Sequence, residues 1–348
     1  MSQMQLMRLF GPYVWGALVD RGFQRNQIIQ LAGGLSLIGF TSFFWFNQLS
    51  PLLVGMTVLA FFWSAALPLV ETLTFDYLKS QAGRYGQLRM WGSVGFIVAV
   101  ISIGWLMDRF PESIVLWSCW VVLLGIFGLS FLLPVVDAHP ESNRAKTQSV
   151  QQILFQPHVL GMIVSCLAMS AAHGVLYVFY SIQLADHGYS KTAIGILWSL
   201  GVIAEILFFM AMPKISLRWS LRTILLTCYW VAAVRFLLIA WAIDWLIIAF
   251  IAQLMHGLTF GAHHAASISA INRWFPGANQ ARGQAIYSSL SFGAGGLIGN
   301  LLSGYLWENF GGAWAFSFST LFALLAAFIC WRWLDAHEGQ IPPKLTTP

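Results

Sequence analysis

Long apolar runs, separated by short loops that contain charged residues, proline or glycine, follow one another along almost the whole 348-residue chain. A helix that crosses the hydrocarbon core of a membrane needs about 20 apolar residues, at a rise of about 1.5 Å per residue. The pattern therefore predicts an all-α polytopic membrane protein. We expect eleven spans, at residues 1–18, 27–48, 51–78, 86–107, 113–136, 155–184, 191–212, 221–242, 245–271, 282–307 and 311–334.

The charged side chains are concentrated in the loops between these spans. When successive loops are assigned alternately to the two sides of the membrane, Arg109 and Lys191 are the only basic loop residues on one face. Because cytoplasmic loops carry the excess of Lys and Arg, we expect the other face, which includes the C-terminus, to be cytoplasmic. Its basic residues are Arg21, Arg25, Lys79, Arg84, Arg89, Arg144, Lys146, Lys214, Arg218, Arg222, Arg273, Arg282, Arg332 and Lys344.

Composition agrees with the membrane interpretation. Only 9% of the residues are charged, against about 25% in an ordinary soluble domain, which excludes a water-soluble fold. The pI near 9.1 reflects the loop charges, so nucleic acid is not an expected partner. The four cysteines lie singly in apolar segments, and no nucleophile elbow or Walker sequence occurs. We therefore predict no metal site, no cofactor and no enzymatic activity.

The two halves of the chain resemble each other. Shifting one half by 197 residues superposes Gly86-Gln87 on Gly283-Gln284, each of which opens a span. The polar segment 137–152 separates the halves and is predicted to be a cytoplasmic linker. We expect an N-terminal bundle at 1–136, a C-terminal bundle at 153–334 and a cytoplasmic tail at 335–348.

The register of this repeat also predicts a missing element. The second half begins near residue 152, so its partner should begin about 45 residues before Met1. We therefore expect six plus six helices in the parent architecture, with the first helix absent here. A true eleven-span protein with a periplasmic N-terminus is the alternative. Two parallel repeats related by an axis along the membrane normal are typical of the major facilitator fold.

Ionisable residues inside the spans are the main functional candidates, because charge is costly in hydrocarbon. Arg8 and Glu205 are 197 residues apart and should lie at equivalent depth, close to the expected depths of Arg235 and His256. Buried ion pairs that only hold helices together, and histidines that only satisfy hydrogen bonds, are the structural alternative. The full set is Arg8, Glu71, Asp76, Arg89, His173, Glu205, Arg235, His256, His263 and His264.

The segment Gly16-Ala17-Leu18-Val19-Asp20-Arg21, followed by Arg25, resembles the signature loop of the major facilitator superfamily, G-x-L-x-D-R/K-x-G-R/K. The second glycine of that pattern is shifted by one place, to Gly22. The resemblance implies a gating loop at Gly16, Asp20 and Arg21. An Asp at a helix end can face a helix N-terminus and form a state-dependent latch.

A second resemblance is to the lactose permease-like oligosaccharide:proton symporters. The segment from Tyr85 to Phe96, YGQLRMWGSVGF, is similar to the one that holds their substrate-binding arginine. The resemblance implies that Arg89 binds the substrate and that Glu71 is the glutamate that pairs with this arginine. Segments ending at Glu205, Arg235 and His256 are similar to those with the coupling glutamate, arginine and histidine. The chain departs from the family at Thr259, where the family has a proton-carrying carboxylate.

Nearly the whole chain is similar to the 3-phenylpropionate transporter group of bacterial inner membranes. Residues 89–94 (RMWGSV) and 197–205 (LWSLGVIAE) carry the likeness, and the positions of His173, Arg235, His256 and His263 also resemble those of the group. The group's first helix has no counterpart here, as the repeat also indicates. The resemblance implies a bacterial inner-membrane transporter of an aromatic carboxylate such as 3-phenylpropionate.

These features lead to the hypothesis of proton-coupled symport by alternating access. The substrate would contact Glu71, Arg89, His173 and Tyr177, the last by aromatic stacking, while Glu205, Arg235, His256 and His263 would couple protons. The expected partners are a small solute, protons and the lipid bilayer, and the chain is expected to act as a monomer. A sugar or nucleoside symporter, a uniporter, a drug/proton antiporter of the same fold and a non-transporting sensor are the alternatives.

Overall fold

The computed structural model describes residues 2–78, 85–134, 149–276 and 279–335, and within these ranges the regular secondary structure is helical, without strands. Nine helical segments of the described residues are long and apolar enough to cross a membrane. Such segments form continuous helices because a helix satisfies every backbone N–H and C=O group by itself. The all-α class predicted from the apolar runs is confirmed.

The chain divides into two compact units. The first comprises Met1–Asn143 with Ser190–Ile196, and the second comprises Arg144–Tyr189 with Leu197–Pro348. The first unit contains α1 (Ser2–Asp20), α2 (Arg25–Thr41), α3 (Leu49–Leu78), α4 (Tyr85–Met107) and α5 (Ile114–Ser130). The second contains α6 (Val150–Leu154), α7 (Pro157–Asp186), most of α8 (Lys191–Arg218), α9 (Leu221–Trp241), α10 (Leu246–His256), α11 (His263–Trp274), α12 (Gln280–Ser288), α13 (Gly296–Phe310) and α14 (Gly312–Trp333).

The predicted linker, residues 137–152, overlaps a helix at its C-terminal end. Its residues 137–148 and the tail residues 336–348 lie outside the described residues. Its last three residues, 150–152, belong to the helix α6. The domain division predicted from sequence stays a prediction.

Aromatic packing organises the first unit around Trp15 of α1. Its ring lies 5.0 Å from that of Phe61 and 5.6 Å from that of Phe62, both on α3. The indole Nε1 donates to Ser64 Oγ at 3.2 Å and to the Phe61 carbonyl at 3.3 Å. The apolar ring is thus packed against other aromatic rings, and its one hydrogen-bond donor has acceptors. Both contacts hold α1 against α3.

A polar contact in the first unit involves Asp108, the residue after α4. Its carboxylate accepts hydrogen bonds from the backbone N–H groups of Lys191 at 2.9 Å and Thr192 at 2.8 Å, and from the Thr192 hydroxyl. These hydrogen bonds, with that of the Thr192 hydroxyl the strongest, hold the pKa of Asp108 below its usual range. The carboxylate satisfies N–H groups that the first turn of a helix leaves free.

The second unit packs α14 against α7 and α9, and buries most of α7 and much of α9. Two of its long helical segments contain a π-helical stretch, at Gly257–Ala262 between α10 and α11 and at Ser289–Gly295 between α12 and α13. A π-helical turn inserts an extra residue and is frequently found at functional sites. Both stretches lie where the sequence predicts one uninterrupted span.

Helix bounds in the two units follow the 197-residue register. Residues 25–41 of α2 shift to 222–238, inside α9 (Leu221–Trp241), and residues 49–78 of α3 shift to 246–275, which covers α10, the first π-helical stretch and α11. The register therefore allows a residue of α1 to α5 to be compared with a definite position in the second unit.

Candidate functional site

Arg235, on α9, lies at the centre of a polar cluster in the second unit. Its side chain is 0% exposed. Nε donates to the Ala252 carbonyl at 2.7 Å, and Nη1 donates to His256 Nδ1 at 2.9 Å and to Thr259 Oγ1 at 3.1 Å. Nη2 approaches Gln253 Oε1 at 3.5 Å. A guanidinium in such a place is tolerated only when its donors are satisfied and a counter-charge is close.

His256 connects this guanidinium to a carboxylate. A guanidinium has no acceptor, so the 2.9 Å contact with Nδ1 requires that Nδ1 offers its lone pair and that the imidazole proton sits on Nε2. His256 Nε2 lies 2.8 Å from Glu205 Oε1, the distance of a good hydrogen bond. The result is a chain of Glu205, a neutral His256 and Arg235, in which the carboxylate is the counter-charge of the buried arginine.

Close helix packing brings Glu205 to His256. Glu205 lies on α8, and the residue after His256 is Gly257, which faces α8. A Cβ atom at Gly257 would come within 2.6 Å of the Ala204 carbonyl oxygen and 2.7 Å of the Phe208 ring. Only glycine allows this approach, so Gly257 sets the distance between α8 and the end of α10.

Thr259 occupies the position where the symporters that the chain resembles carry a carboxylate. Its hydroxyl donates to the His256 carbonyl at 3.4 Å and accepts from Arg235 at 3.1 Å. A hydroxyl supplies the acceptor that Arg235 needs without adding a second negative charge. In this cluster Glu205 is therefore the carboxylate that balances Arg235.

His263 belongs to a neighbouring network rather than to the Arg235 cluster. Its Nε2 lies 3.3 Å from the Tyr229 hydroxyl and 3.6 Å from Cys166 Sγ. Since the Tyr229 hydroxyl donates to Ser165 Oγ at 2.8 Å, the imidazole N–H donates to the Tyr229 oxygen. Ser267 closes this group, with its Oγ 3.3 Å from Cys166 Sγ.

His173 and Tyr177, one helical turn apart on α7, lie beside His256. The ring centroid of His256 is 6.0 Å from that of His173 and 6.5 Å from that of Tyr177. His173 is 3% exposed and Tyr177 is 41% exposed, so only Tyr177 presents much ring surface. Tyr177 is stacked on Trp198 with the centroids 6.4 Å apart and an interplanar angle of 14°, an arrangement that a bound aromatic ring could extend.

The remaining predicted site residues lie in the first unit. Glu71 is on α3 with a half-buried side chain, whereas Arg89 is on α4 and its side chain lies outside the described part of the structure. Gly16 is on α1 with Asp20, whose side chain is also outside the described part, and Arg21 is exposed in the following turn. Gly22 has a φ of 92° in that turn, a conformation suited to glycine.

Sequence reasoning did not identify Gln253 and Tyr229 as members of these networks. Gln253 precedes His256 by three residues, so the helical period places both on the face of α10 that meets Arg235. Tyr229 precedes Arg235 by six residues on α9, and its spacing gave no comparable signal. Its contact with His263 depends on how α9 and α11 pack.

Comparisons with known proteins agree with this architecture. The model of the MFS_1 like family matches residues 1–318. The chain is 29% identical to the "Probable 3-phenylpropionic acid transporter" of Escherichia coli (strain K12) over 85% of this chain and 77% of that protein. It is 24% identical to the "Maltose permease" of Geobacillus stearothermophilus over 89% of this chain and 78% of that protein.

A solved structure shows the same fold. A crystal structure of a variant of the nucleoside transporter NupG superposes with a TM-score of 0.81 at 16% identity, covering 96% of this chain and 89% of that chain. At this level of identity the likeness concerns the fold.

Proposed function

We propose that this chain, which belongs to the MFS_1 like family of the major facilitator superfamily, is a proton-coupled symporter for a small organic solute. It is a multi-pass membrane transporter by its family and its apolar helices. The proposal adds the coupling ion, the mechanism of alternating access and the class of solute.

The observation that carries the proposal is the hydrogen-bonded chain from Glu205 through His256 to Arg235. Protonation of Glu205 would remove the negative charge that balances a fully buried guanidinium. An unbalanced buried charge is costly, so the cluster would rearrange or Arg235 would find another anion. Proton binding and conformation are thereby coupled, which a symporter requires.

An aromatic carboxylate such as 3-phenylpropionate is the proposed solute. The support comes from the relative at 29% identity and from the residues predicted to bind it. Arg89 would hold the carboxylate through two parallel hydrogen bonds, and Glu71 would balance Arg89 when the solute is absent. Tyr177, already stacked on Trp198, would contact the ring, with His173 beside it.

A sugar symporter is the second candidate, because the maltose permease relative covers a similar share of the chain. Arg89 and Glu71 would then donate to and accept from hydroxyl groups. Competition of labelled uptake by aromatic acids, sugars and nucleosides separates the candidates.

We place the protein in a bacterial inner membrane with its C-terminus in the cytoplasm. The distribution of Lys and Arg between the loops supports this orientation. Its partners in the proposal are the solute, protons and the surrounding lipid, with one chain as the transporting unit.

Uptake into proteoliposomes tests the coupling. An inward proton gradient of one pH unit stores about 1.36 kcal/mol per proton. Electroneutral symport with one proton therefore supports about tenfold accumulation of labelled 3-phenylpropionate. We expect the Glu205→Gln variant to exchange labelled for unlabelled solute across the membrane but to show no accumulation. Protein-free liposomes correct for passive entry of the protonated acid.

Glu308→Gln is the matched control, because it makes the same chemical change at an exposed position near the end of α13. It should accumulate solute like the wild type, and an uncoupler should abolish accumulation in both. Accumulation by Glu205→Gln, or wild-type accumulation that survives the uncoupler, would contradict proton coupling through Glu205.

A further inference from the structure

A small cavity of about 30 Å³ lies in the second unit, beside the Arg235 cluster. Both π-helical stretches line it, through Thr259 and Phe260 on one side and Ser291 and Phe292 on the other. The cavity therefore lies between the two irregular helical stretches of this unit and α7, which contributes His173, while α11 and α12 contribute His263 and Tyr287.

Two buried polar atoms of the lining lack a hydrogen-bond partner among the described residues. They are His173 Nε2 and Ser291 Oγ, on side chains that are 3% and 1% exposed. His173 Nδ1 lies 2.9 Å from the Met169 carbonyl, which can only accept, so the imidazole proton is on Nδ1. Nε2 is thus a lone pair that needs a donor. Buried polar groups are almost always paired, so these two atoms indicate a ligand.

The chemistry of the lining selects a neutral hydrogen-bond donor. A carboxylate or halide ion has no proton to donate to His173 Nε2. A cation would stand close to the guanidinium of Arg235, because Thr259, which lines the cavity, is itself 3.1 Å from Arg235 Nη1. The volume holds one or two water molecules, whereas a cavity of about 150 Å³ accommodates benzene. An aromatic solute is therefore too large.

We propose that this cavity is a water-binding site, in which one or two ordered water molecules donate to His173 Nε2 and exchange a hydrogen bond with Ser291 Oγ. Thr259 Oγ1 has a second lone pair in reach of the same space, so the bound water extends the Arg235 cluster towards His173. His173 then binds water rather than solute in this conformation. The proposal concerns hydration and holds whether or not transport is coupled to protons.

Removal of the Ser291 hydroxyl tests the site in the full chain. In a hydrated cavity, Ser291→Ala takes a partner from the bound water, and we expect the unfolding temperature in detergent to fall by about 2 °C. In a dry cavity the same change removes an unpaired hydroxyl, and the unfolding temperature should rise. The two states of the cavity thus predict shifts of opposite sign.

Ser319→Ala is the matched control, since Ser319 is 5% exposed and its Oγ donates to the Ala315 carbonyl of its own helix. The unfolding temperature of Ser291→Ala is compared with that of this variant, so that the stabilisation from the higher helix propensity of alanine is the same in both. His173→Phe provides a second variant, because it removes the acceptor while filling the space.

A structure of the wild type at a resolution that shows ordered water completes the test. We expect density within hydrogen-bond distance of His173 Nε2 and Ser291 Oγ, and its weakening in Ser291→Ala. An empty cavity, together with higher unfolding temperatures for Ser291→Ala and His173→Phe than for the control, would overturn the proposal.

Discussion

The helices α2–α3 of the first unit and α9–α10 of the second occupy equivalent positions of the repeat, yet they differ in chemistry. Arg235 corresponds to Ile38, His256 to Leu59 and Thr259 to Phe62, each 197 residues earlier. Ile38 is 65% exposed and Leu59 is 8% exposed, whereas Arg235 is fully buried. The hydrogen-bonded cluster of the second unit therefore has apolar residues at the matching places in the first.

The two units therefore share the bounds of these helices but not the polar cluster. In the first unit, Phe62 packs with Trp15 and Phe61, and the contacts are mainly aromatic. In the second unit, the same stretch of helix contains a glycine and a π-helical turn that admit polar side chains. The glycine that lets α8 approach α10, Gly257, also has no glycine counterpart, because the equivalent residue of the first unit is Ala60.

The largest effect is expected when the arginine is removed. Arg235→Ala removes the donor to His256 Nδ1 and Thr259 Oγ1 and leaves the Glu205 carboxylate without its counter-charge. It should lower the free energy of unfolding by about 3–5 kcal/mol and abolish uptake. Ile38→Ala, at the equivalent exposed position, should change stability by only about 0.5 kcal/mol. Thermal unfolding in detergent and proteoliposome uptake measure both. Equal losses in the two variants would mean that the halves do not differ in the way the structure indicates.

An intermediate effect is expected at the glycine that brings α8 to α10. Gly257→Ala places a methyl group against the Ala204 carbonyl and should cost about 1–3 kcal/mol, with a loss of uptake because Glu205 moves away from His256. Gly304→Ala has no atom within 4 Å of the added methyl group and serves as the control. Similar unfolding temperatures for the two variants would show that α8 can shift without cost.

The smallest effect is expected at Asp108, the polar contact of the first unit that is exposed rather than buried. Its pKa is held below the usual value of 3.8 by its hydrogen bonds, so its contribution is complete above that value and is lost as the pH falls through the lower pKa of the folded state. Asp108→Asn should therefore unfold at a slightly lower temperature than the wild type at about pH 6. The gap should close towards about pH 3, and a gap independent of pH would exclude the carboxylate as its cause.

Some of the site could be found from sequence because charge is rare in apolar helices. Glu205, Arg235 and His256 stood out as ionisable residues at similar depth, and the structure brings these three together. Depth alone did not separate His263 from them, yet His263 bonds to Tyr229 in a different network. Gln253 and Ser291 carry no charge, so their places in the Arg235 cluster and in the cavity are seen only from their burial and their neighbours.

The membrane class and the all-α architecture could be predicted from sequence, since long apolar runs and their spacing are properties of the chain that need no tertiary contact. Which polar atoms meet depends instead on how the helices pack. An extra residue in a π-helical turn rotates the next part of the helix by about 100°, and the absence of one Cβ lets two helices approach more closely by about an ångström. Hydrogen bonds depend on position at that scale, so the pairing of Arg235 with His256, and the cavity beside it, arise from packing.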